Sequence, residues 1–407
     1  MKILKETSSI CPKCYKKIPA QIYENKSAVY MKKICAEHGN FDVLLEKDAW
    51  VYKQLMNRIN PLHKGSFNNM MVAVTHACNL KCKVCYLPGR NSPDPSLEEM
   101  KKTIDDFAGW QIRLSGGEPT LREDLHELVH FICQKGKVPV LVTNGLKLAD
   151  INYVKRLKAA GLQYVHFSLN GLNDQVYINI NSKKLLGIKL KALKNLEKEK
   201  MNVRLSMTMV KGINEKEFKK IYHFCLRNSH FIHSLRVRPE VPLGRYIGAQ
   251  QIYLSDIANI VAKTVGVDME TLVRHSLSHE KQFPNPLGVE PLRYSHLPCQ
   301  VNIKLASLLF DALRGGKNSS LSYNRIKIIL RVLSGIGLTS LLIVLLEKIK
   351  GRSPLAKFYI FIRHWPDKAR VDLDEINRCN SAHMVSQTGE VIPYCLGMIL
   401  NGNKLLL

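Results

Sequence analysis

Twelve consecutive residues carry the densest chemistry in the chain: Thr75-His76-Ala77-Cys78-Asn79-Leu80-Lys81-Cys82-Lys83-Val84-Cys85-Tyr86. The spacing is C-x3-C-x2-C. Three thiolates on one short loop hold three irons of a [4Fe–4S] cube and leave the fourth iron without a protein ligand. An iron left open binds a small molecule, as an open catalytic metal position does. Further along stands Ser115-Gly116-Gly117-Glu118-Pro119. Its glycines let backbone approach a ligand closely, and its carboxylate is placed to accept hydrogen bonds from a cationic amine. A second, separate set lies near the N-terminus, where Cys11-Pro12-Lys13-Cys14 is followed by Cys35-Ala36-Glu37-His38-Gly39. Two knuckles of soft ligands about twenty residues apart suit a tetrahedral structural site at Cys11, Cys14, Cys35 and His38. Zinc is the default occupant, and a rubredoxin-like single iron is the alternative.

The elements that must position these residues can be read from periodicity. Residues 70–75 form an apolar, β-prone run that empties into the three-cysteine loop. Strands are expected at 111–114, 138–143, 164–169, 203–210 and 234–238, and helices from Ser96 and over 121–134, 150–160, 183–200 and 215–227. Six strands joined by helical crossovers make a parallel sheet, and six units suit a partial (β/α)6 TIM-like barrel better than a full eight. Functional groups then belong at the C-terminal ends of the strands. The expected organisation is a metal-binding ribbon over 1–65, the barrel over 66–250 and a C-terminal α+β extension over 251–407. In that extension 251–272, 301–313 and 323–350 read as helices, and 284–298 as a long proline-rich loop.

The three-cysteine loop followed by Gly-Gly-Glu-Pro on the next strand resembles the radical S-adenosylmethionine (SAM) superfamily over about 68–245. The resemblance implies that Cys78, Cys82 and Cys85 ligate a [4Fe–4S] cluster whose open iron is chelated by SAM. It further implies that Gly116, Gly117 and Glu118 bind the SAM amino group, and that Asn144, Ser168 and Asn170 line the SAM pocket. One electron from the reduced cluster would cleave the sulfonium to a 5′-deoxyadenosyl radical able to abstract hydrogen from unactivated carbon. Such chemistry implies a reductant such as ferredoxin or flavodoxin. Where the superfamily often has an aromatic residue before the third cysteine, this chain has Val84. The flanks are similar to an archaeal-type branch that includes tetraether-lipid synthase and dihydropterin methyltransferases. That likeness implies an auxiliary iron–sulfur cluster on Cys299, Cys379 and Cys395, completed by Cys133, Cys225, His296, His383 or a substrate. Cys133 and Cys225 themselves read better as buried structural thiols on helices.

Composition limits the partners. Sixty Lys+Arg against thirty-four Asp+Glu give a net charge of +26, which favours an anionic partner over a merely solvated lysine-rich surface only by chemistry still to be found. The N-terminus lacks the apolar core of a secretory signal, and eleven cysteines in C-x-x-C-type clusters suit a reduced, cytoplasmic protein. Residues 332–346 are uncharged and apolar with basic flanks, too short to span a bilayer but suited to an anionic interface or a lipid channel. The leading expectation is therefore a radical SAM enzyme acting on lipid, peripheral at the inner face of the membrane. The same chemistry on a pterin or a peptide is the runner-up. A tRNA-modifying enzyme ranks lower, because the basic residues are dispersed with few aromatics among them. Last comes an iron–sulfur binding protein without turnover.

Overall fold

The computed structural model describes residues 1–56, 67–87, 93–245, 250–278, 300–304, 358–377, 379, 381–384 and 391–400. The chain opens with four antiparallel strands, β1 (Lys2–Ile10), β2 (Lys17–Asn25), β3 (Ala28–Cys35) and β4 (Gly39–Glu46), in sequential order. Short strands were expected only near 21–23 and 28–30. The ribbon is longer because β2 and β3 pair through six registered positions around a tight turn. That turn places Lys26 and Ser27 at positive φ. Helix α1 (Ala49–Met56) follows and packs on Ile22, Val29 and Met31.

The main sheet begins with β5 (Asn69–Thr75), every residue of which is buried. A strand covered on both faces needs such a continuous apolar run, and this is the signature of a parallel sheet under helices. Five more strands follow in order: β6 (Gln111–Gly116), β7 (Val138–Thr143), β8 (Tyr164–Ser168), β9 (Asn202–Met209) and β10 (Ile232–Pro239). Each pairs in parallel with its predecessor, as expected for a partial barrel. Helices α2 (Leu97–Asp106), α3 (Leu125–Gln134), α4 (Ile151–Ala159), α5 (Asp174–Asn181), α6 (Leu186–Lys198) and α7 (Glu217–Arg227) supply the crossovers. The start of α2 at Ser96 carries a full capping box, with Ser96 Oγ accepting from Glu99 N at 3.2 Å and Ser96 N donating to Glu99 Oε2 at 2.7 Å. Such a cap stabilises a helix by about 1 kcal/mol.

Three expectations need correction. Helix α5 was not anticipated. Asn173 caps it by accepting from Val176 N at 3.1 Å, and Ser182 ends it in the left-handed region. The single helix expected over 251–272 is two, α8 (Leu254–Val265) and α9 (Met269–Ser278), because Gly266 turns the chain left-handed at φ 93°. Where a helix was expected from 301, the chain forms β11 (Gln300–Lys304), antiparallel to β12 (Tyr359–Arg363). The run Val301-Asn302-Ile303 alternates as an edge strand does, and strand pairing overrode its helix reading.

The C-terminal elements do not stand beside the sheet but lengthen it. β12 joins β10 in parallel, and at the opposite edge β13 (Ser381–Met384) joins β5 in parallel and β14 (Val391–Pro393) follows antiparallel. The result is ten strands in the order β11-β12-β10-β9-β8-β7-β6-β5-β13-β14. Short helices α10 (Leu373–Ile376) and α11 (Tyr394–Leu400) complete the described chain. The apolar segment 332–346, Cys299 and His296 lie outside the described residues.

The ribbon is docked by polar contacts to the segment around α10. Lys5 Nζ and Thr7 Oγ1 each meet Asp372 at 2.6 Å, and Ser9 Oγ donates to Val371 O at 2.6 Å. Lys33, only 1% exposed, donates to Ser9 Oγ and Ile10 O at 2.9 and 2.8 Å. Burial pulls its ammonium down to about 8.

Candidate functional site

The three-cysteine loop leaves the C-terminal end of β5 and is braced from two sides. Lys83 N donates to Ile180 O at 2.8 Å, and Asn181 Nδ2 donates to Cys82 Sγ at 3.0 Å, both partners belonging to the unanticipated helix α5. Behind the loop, Gly117 N donates to Thr75 O at 2.7 Å and Glu118 N to Ala77 O at 2.8 Å. The two strand ends are therefore laced together. This contact also explains the glycines. A Cβ on Gly116, at φ 122°, would collide with the carbonyl oxygen of Thr75, and one on Gly117 with that of Ala77. The Gly-Gly pair admits the cysteine loop itself, a closer partner than the ligand expected from sequence.

The donor set fits an iron–sulfur cluster. Burial, followed by the negative charge of Cys85 and Cys78, pushes the Cys82 thiol up. A thiol raised by neighbouring sulfur charge lies where a cation would take up that charge. The Asn181 amide on Cys82 is the kind of hydrogen bond to sulfur that tunes a cluster.

Glu118 is 1% exposed and its carboxylate is occupied by protein. Oε1 accepts from Thr143 Oγ1 at 2.6 Å and Thr120 Oγ1 at 2.7 Å, and Oε2 accepts from Asn144 N at 2.7 Å. It ties the end of β6 to the end of β7. Asn144 serves a turn and a loop at once. Its Oδ1 accepts from Leu146 N at 3.0 Å, with Gly145 following at φ 83°, while its Nδ2 donates to Asn79 Oδ1 at 2.8 Å inside the cysteine loop. Asn170 Oδ1 accepts from Thr208 N at 2.9 Å. Asn214 then clamps the same junction by donating to Asn170 O and Thr208 O at 2.9 and 2.8 Å. Ser168 offers its backbone carbonyl to Lys189 Nζ at 2.8 Å.

Lys189 was missed in the sequence because it sits in a lysine-rich helix that reads as a solvated face. The structure buries it to 3% exposure, between Ser168 O and Asn144 O, the latter at 2.7 Å, and over the Phe167 ring. Burial pulls its ammonium down to about 8, against the opposing pull of Cys82 and Glu118.

A cavity of about 180 Å³ borders the cysteine loop at Tyr86 and runs through the barrel interior. Tyr86 meets Trp365 edge-on at 5.0 Å, Trp365 meets Tyr394 at 5.5 Å, and Arg238 lies over both Tyr86 and Trp365. Arg113, Arg204, Arg236 and Arg363 line the same cavity. A usable signal existed for them. Ile-Arg-Leu, Val-Arg-Leu and Leu-Arg-Val each set one arginine between apolar residues inside a strand, which is a pattern for a charge facing a lumen. Val84, in the place of the superfamily's frequent aromatic, packs with Val176, Ile180 and Val210. Cys379 and Cys395 both line the cavity, whereas Cys133 and Cys225 do not. Cys225 is fully buried in the apolar core, and Cys133 donates to Gly161 O at 3.7 Å. His383 is half-buried, and loss of solvent around the ring pushes it down to about 4.

In the ribbon, the ligand atoms of Cys11, Cys14, Cys35 and His38 all lie within 4.8 Å of one another. One knuckle is the β1–β2 turn, with Tyr15 at φ 60°, and the other is the β3–β4 turn, closed by Gly39 at φ 75°. The His38 ring lies 3.6 Å from Cys35 Sγ and holds that thiol below its ordinary value, the direction a thiolate ligand requires.

Both cysteine clusters lie inside segments that match known families. Residues 72–225 match the family described as Radical SAM superfamily, and residues 3–47 match the HMPTM N-terminal zinc ribbon domain. A 7,8-dihydro-6-hydroxymethylpterin dimethyltransferase from Methanocaldococcus jannaschii is 33% identical over 273 residues, covering 59% of this chain and 54% of that protein. A probable GTP 3′,8-cyclase from Sulfolobus acidocaldarius is 30% identical over 200 residues, covering 46% of this chain and 62% of that protein. The chain thus spans roughly half of the length of these curated relatives. Among solved structures, Streptococcus suis SuiB bound to S-adenosylmethionine aligns with a TM-score of 0.41 and 19% identity, over 49% of this chain and 47% of that one.

Proposed function

From a radical SAM domain set behind a zinc ribbon, we propose an enzyme that cleaves SAM at a cluster on Cys78, Cys82 and Cys85 and acts on a small, polar, ring-bearing substrate such as a pterin. When bound, the cluster and SAM supply a one-electron cleavage that yields a 5′-deoxyadenosyl radical. The chain's own residues do the rest. Asn181 and Lys83 hold the loop, Glu118 holds the neighbouring strand ends, and Lys189 fixes the carbonyls of Asn144 and Ser168 that border the place for SAM. Tyr86, Trp365 and Tyr394 offer flat faces for a heterocycle and help to exclude water from the reacting atoms.

One observation carries this reading: the cysteine loop opens at Tyr86 onto a cavity of about 180 Å³ walled by aromatics and arginines. Such a wall suits a polar ring. The lipid reading drew on residues 332–346, which lie outside the described residues. Among the described residues no helix is long and apolar enough to cross a membrane. The matched relatives bear the names of pterin and GTP enzymes. Methyl transfer to a pterin is the reaction that the first of these names suggests. A ferredoxin or flavodoxin is the reductant we propose, and a chain at +26 would steer an acidic donor of that kind.

The test is anaerobic incubation of the reconstituted chain with SAM, a reductant and either 6-hydroxymethyl-7,8-dihydropterin or a phospholipid extract. Methylated pterin by mass spectrometry supports the reading. Modified lipid with untouched pterin reverses it in favour of the lipid enzyme.

A further inference from the structure

We propose that the ribbon scaffolds one wall of the cavity, and that Lys33 is the positioning residue joining both cysteine knuckles to that wall. What the cavity holds rests on the small-substrate reading above.

The cavity has a ribbon side. Leu45 and Glu46 at the end of β4 and Tyr52 of α1 line it directly. It is also lined by Arg370, Asp372 and Ile376, which belong to one segment, 364–376, running from the end of β12 through α10. The same segment carries Trp365, whose ring meets Tyr86 of the cysteine loop and Tyr394 of α11. Where the segment sits therefore sets the shape of the aromatic wall. Between β12 and α10 it forms neither helix nor strand, so few of its own backbone bonds hold it. Its tethers come from the ribbon. Lys5 and Thr7 of β1 reach Asp372, Ser8 Oγ donates to Asp374 Oδ1 at 2.8 Å, and Ser9 Oγ donates to Val371 O at 2.6 Å. In return Arg370 Nε donates to Leu44 O of β4 at 2.9 Å.

Lys33 ties these tethers to the knuckles. From Lys32 to Cys35 strand β3 alternates exposed and buried residues, which puts Lys33 on the same face as the ligand Cys35. Its Nζ donates to Ile10 O, the carbonyl just before the ligand Cys11, at 2.8 Å and to Ser9 Oγ at 2.9 Å, and it lies 3.5 Å from Lys368 O. Ser9 passes the contact on to Val371 O. One buried ammonium thus touches the base of both knuckles and, directly and through Ser9, the cavity segment. A buried ammonium is costly to leave unpaired, and the oxygens around it lose their donor if it moves. A shift of either knuckle is therefore passed to 368–371, where a solvated lysine would absorb it. Apolar packing runs the same way, because Ile10 packs with Val371, Leu373 and Ile376. Leu396, Ile399 and Leu400 of α11 share that cluster, and they are the alternative support for the segment.

Hydrogen exchange of the full, metal-loaded chain tests the coupling, with Lys33→Met as the variant. Amides of 366–376 should exchange at least about tenfold faster than in wild type, while β5, the cysteine loop and α5 keep their protection and the ribbon keeps its metal. Thr7→Val should loosen the same amides, and Thr7→Ser, which keeps a hydroxyl for Asp372, should not. If Lys33→Met does not fold, the Thr7 pair decides alone. In a background of Trp50→Phe with Trp110→Phe, Trp365 is the one tryptophan left, and acrylamide should quench it more strongly once Lys33 is Met. Unchanged protection over 366–376 overturns the proposal, the segment then standing on α11. Loss of protection across the whole main sheet overturns it too, by making Lys33 a general structural residue. With SAM and dithionite the Lys33→Met chain should form 5′-deoxyadenosine within about twofold of the wild-type rate, while KM for 6-hydroxymethyl-7,8-dihydropterin rises at least about fivefold. A loosened segment with unchanged KM overturns the positioning role. If wild type leaves that pterin untouched, the small-substrate reading fails, and the exchange result still decides whether Lys33 positions the wall.

Discussion

The ribbon site and the barrel site are both made of cysteines, and they differ in what surrounds them. In the ribbon, two turns from separate strand pairs bring four ligands within 4.8 Å, and among the described residues Ile18 and Phe41 pack with the cysteines. In the barrel, three cysteines share one loop, and the protein contributes contacts on every side: α5 at Ile180 and Asn181, the Gly-Gly pair beneath, and Asn144 reaching Asn79. A closed ligand set with little core around it draws its order from the metal. An open set is held by protein, so that the metal's free position can be spent on a ligand.

Breaking the ribbon site should give the largest effect. Structural zinc contributes on the order of 10 kcal/mol to domains of this kind. Chelation, or Cys35→Ala, should therefore unfold β1–β4 and release the Lys33 and Asp372 contacts. Hydrogen exchange over 2–46 reports it, and unchanged protection after the metal has gone would show that the ribbon stands on its own core.

Glu118→Ala comes next and probes the protein-held site. It strands the hydroxyls of Thr143 and Thr120 and the amide of Asn144 without their buried acceptor. Each unpaired donor costs about 1–3 kcal/mol, so a loss of about 3–5 kcal/mol by denaturant unfolding is expected. Glu118→Gln should recover part of it. Wild-type stability in the alanine variant would mean that the carboxylate is kept for a ligand alone.

The smallest effect lies where the two regions meet, at Glu375. Its folded pKa is raised from 4.5 to about 8, chiefly by burial. Folded protein thus holds a proton that the unfolded chain has released between those values. Its contribution is greatest below about 4.5 and is lost as pH rises toward 8. Glu375→Gln should flatten that decline and make the chain more stable than wild type at pH 9, with no gain at pH 4. Parallel melting curves for the two chains across this range would refute the assignment.

Much of this was legible because the signals were local. A fully apolar run ending in C-x3-C-x2-C places a strand and its loop, and Ser96 with Glu99 writes its own helix start. The two metal-type clusters were visible from spacing alone. What escaped depended on neighbours distant in sequence. Lys189 reads as one more surface lysine until Phe167, Ser168 and Asn144 close around it. The close approach of Thr75 and Ala77 to the Gly-Gly pair likewise appears only once the two strands lie side by side. Strands β11, β12 and β13 are short, and their places at both edges of one sheet are set by pairing partners more than fifty residues away. The arginines of the interior needed the register of β9 and β10, which sets Arg204 beside Ser234 and Arg236 beside Ser206, before their common face could be seen.

The central claim is that the open, three-cysteine site performs the chemistry. The most direct measurement is 5′-deoxyadenosine formation by the anaerobically reconstituted chain with SAM and dithionite, wild type against a Cys78→Ala, Cys82→Ala, Cys85→Ala triple variant. Wild type should form it and the triple variant should form none, while the ribbon metal stays bound in both. Formation at the wild-type rate by the triple variant would contradict the account.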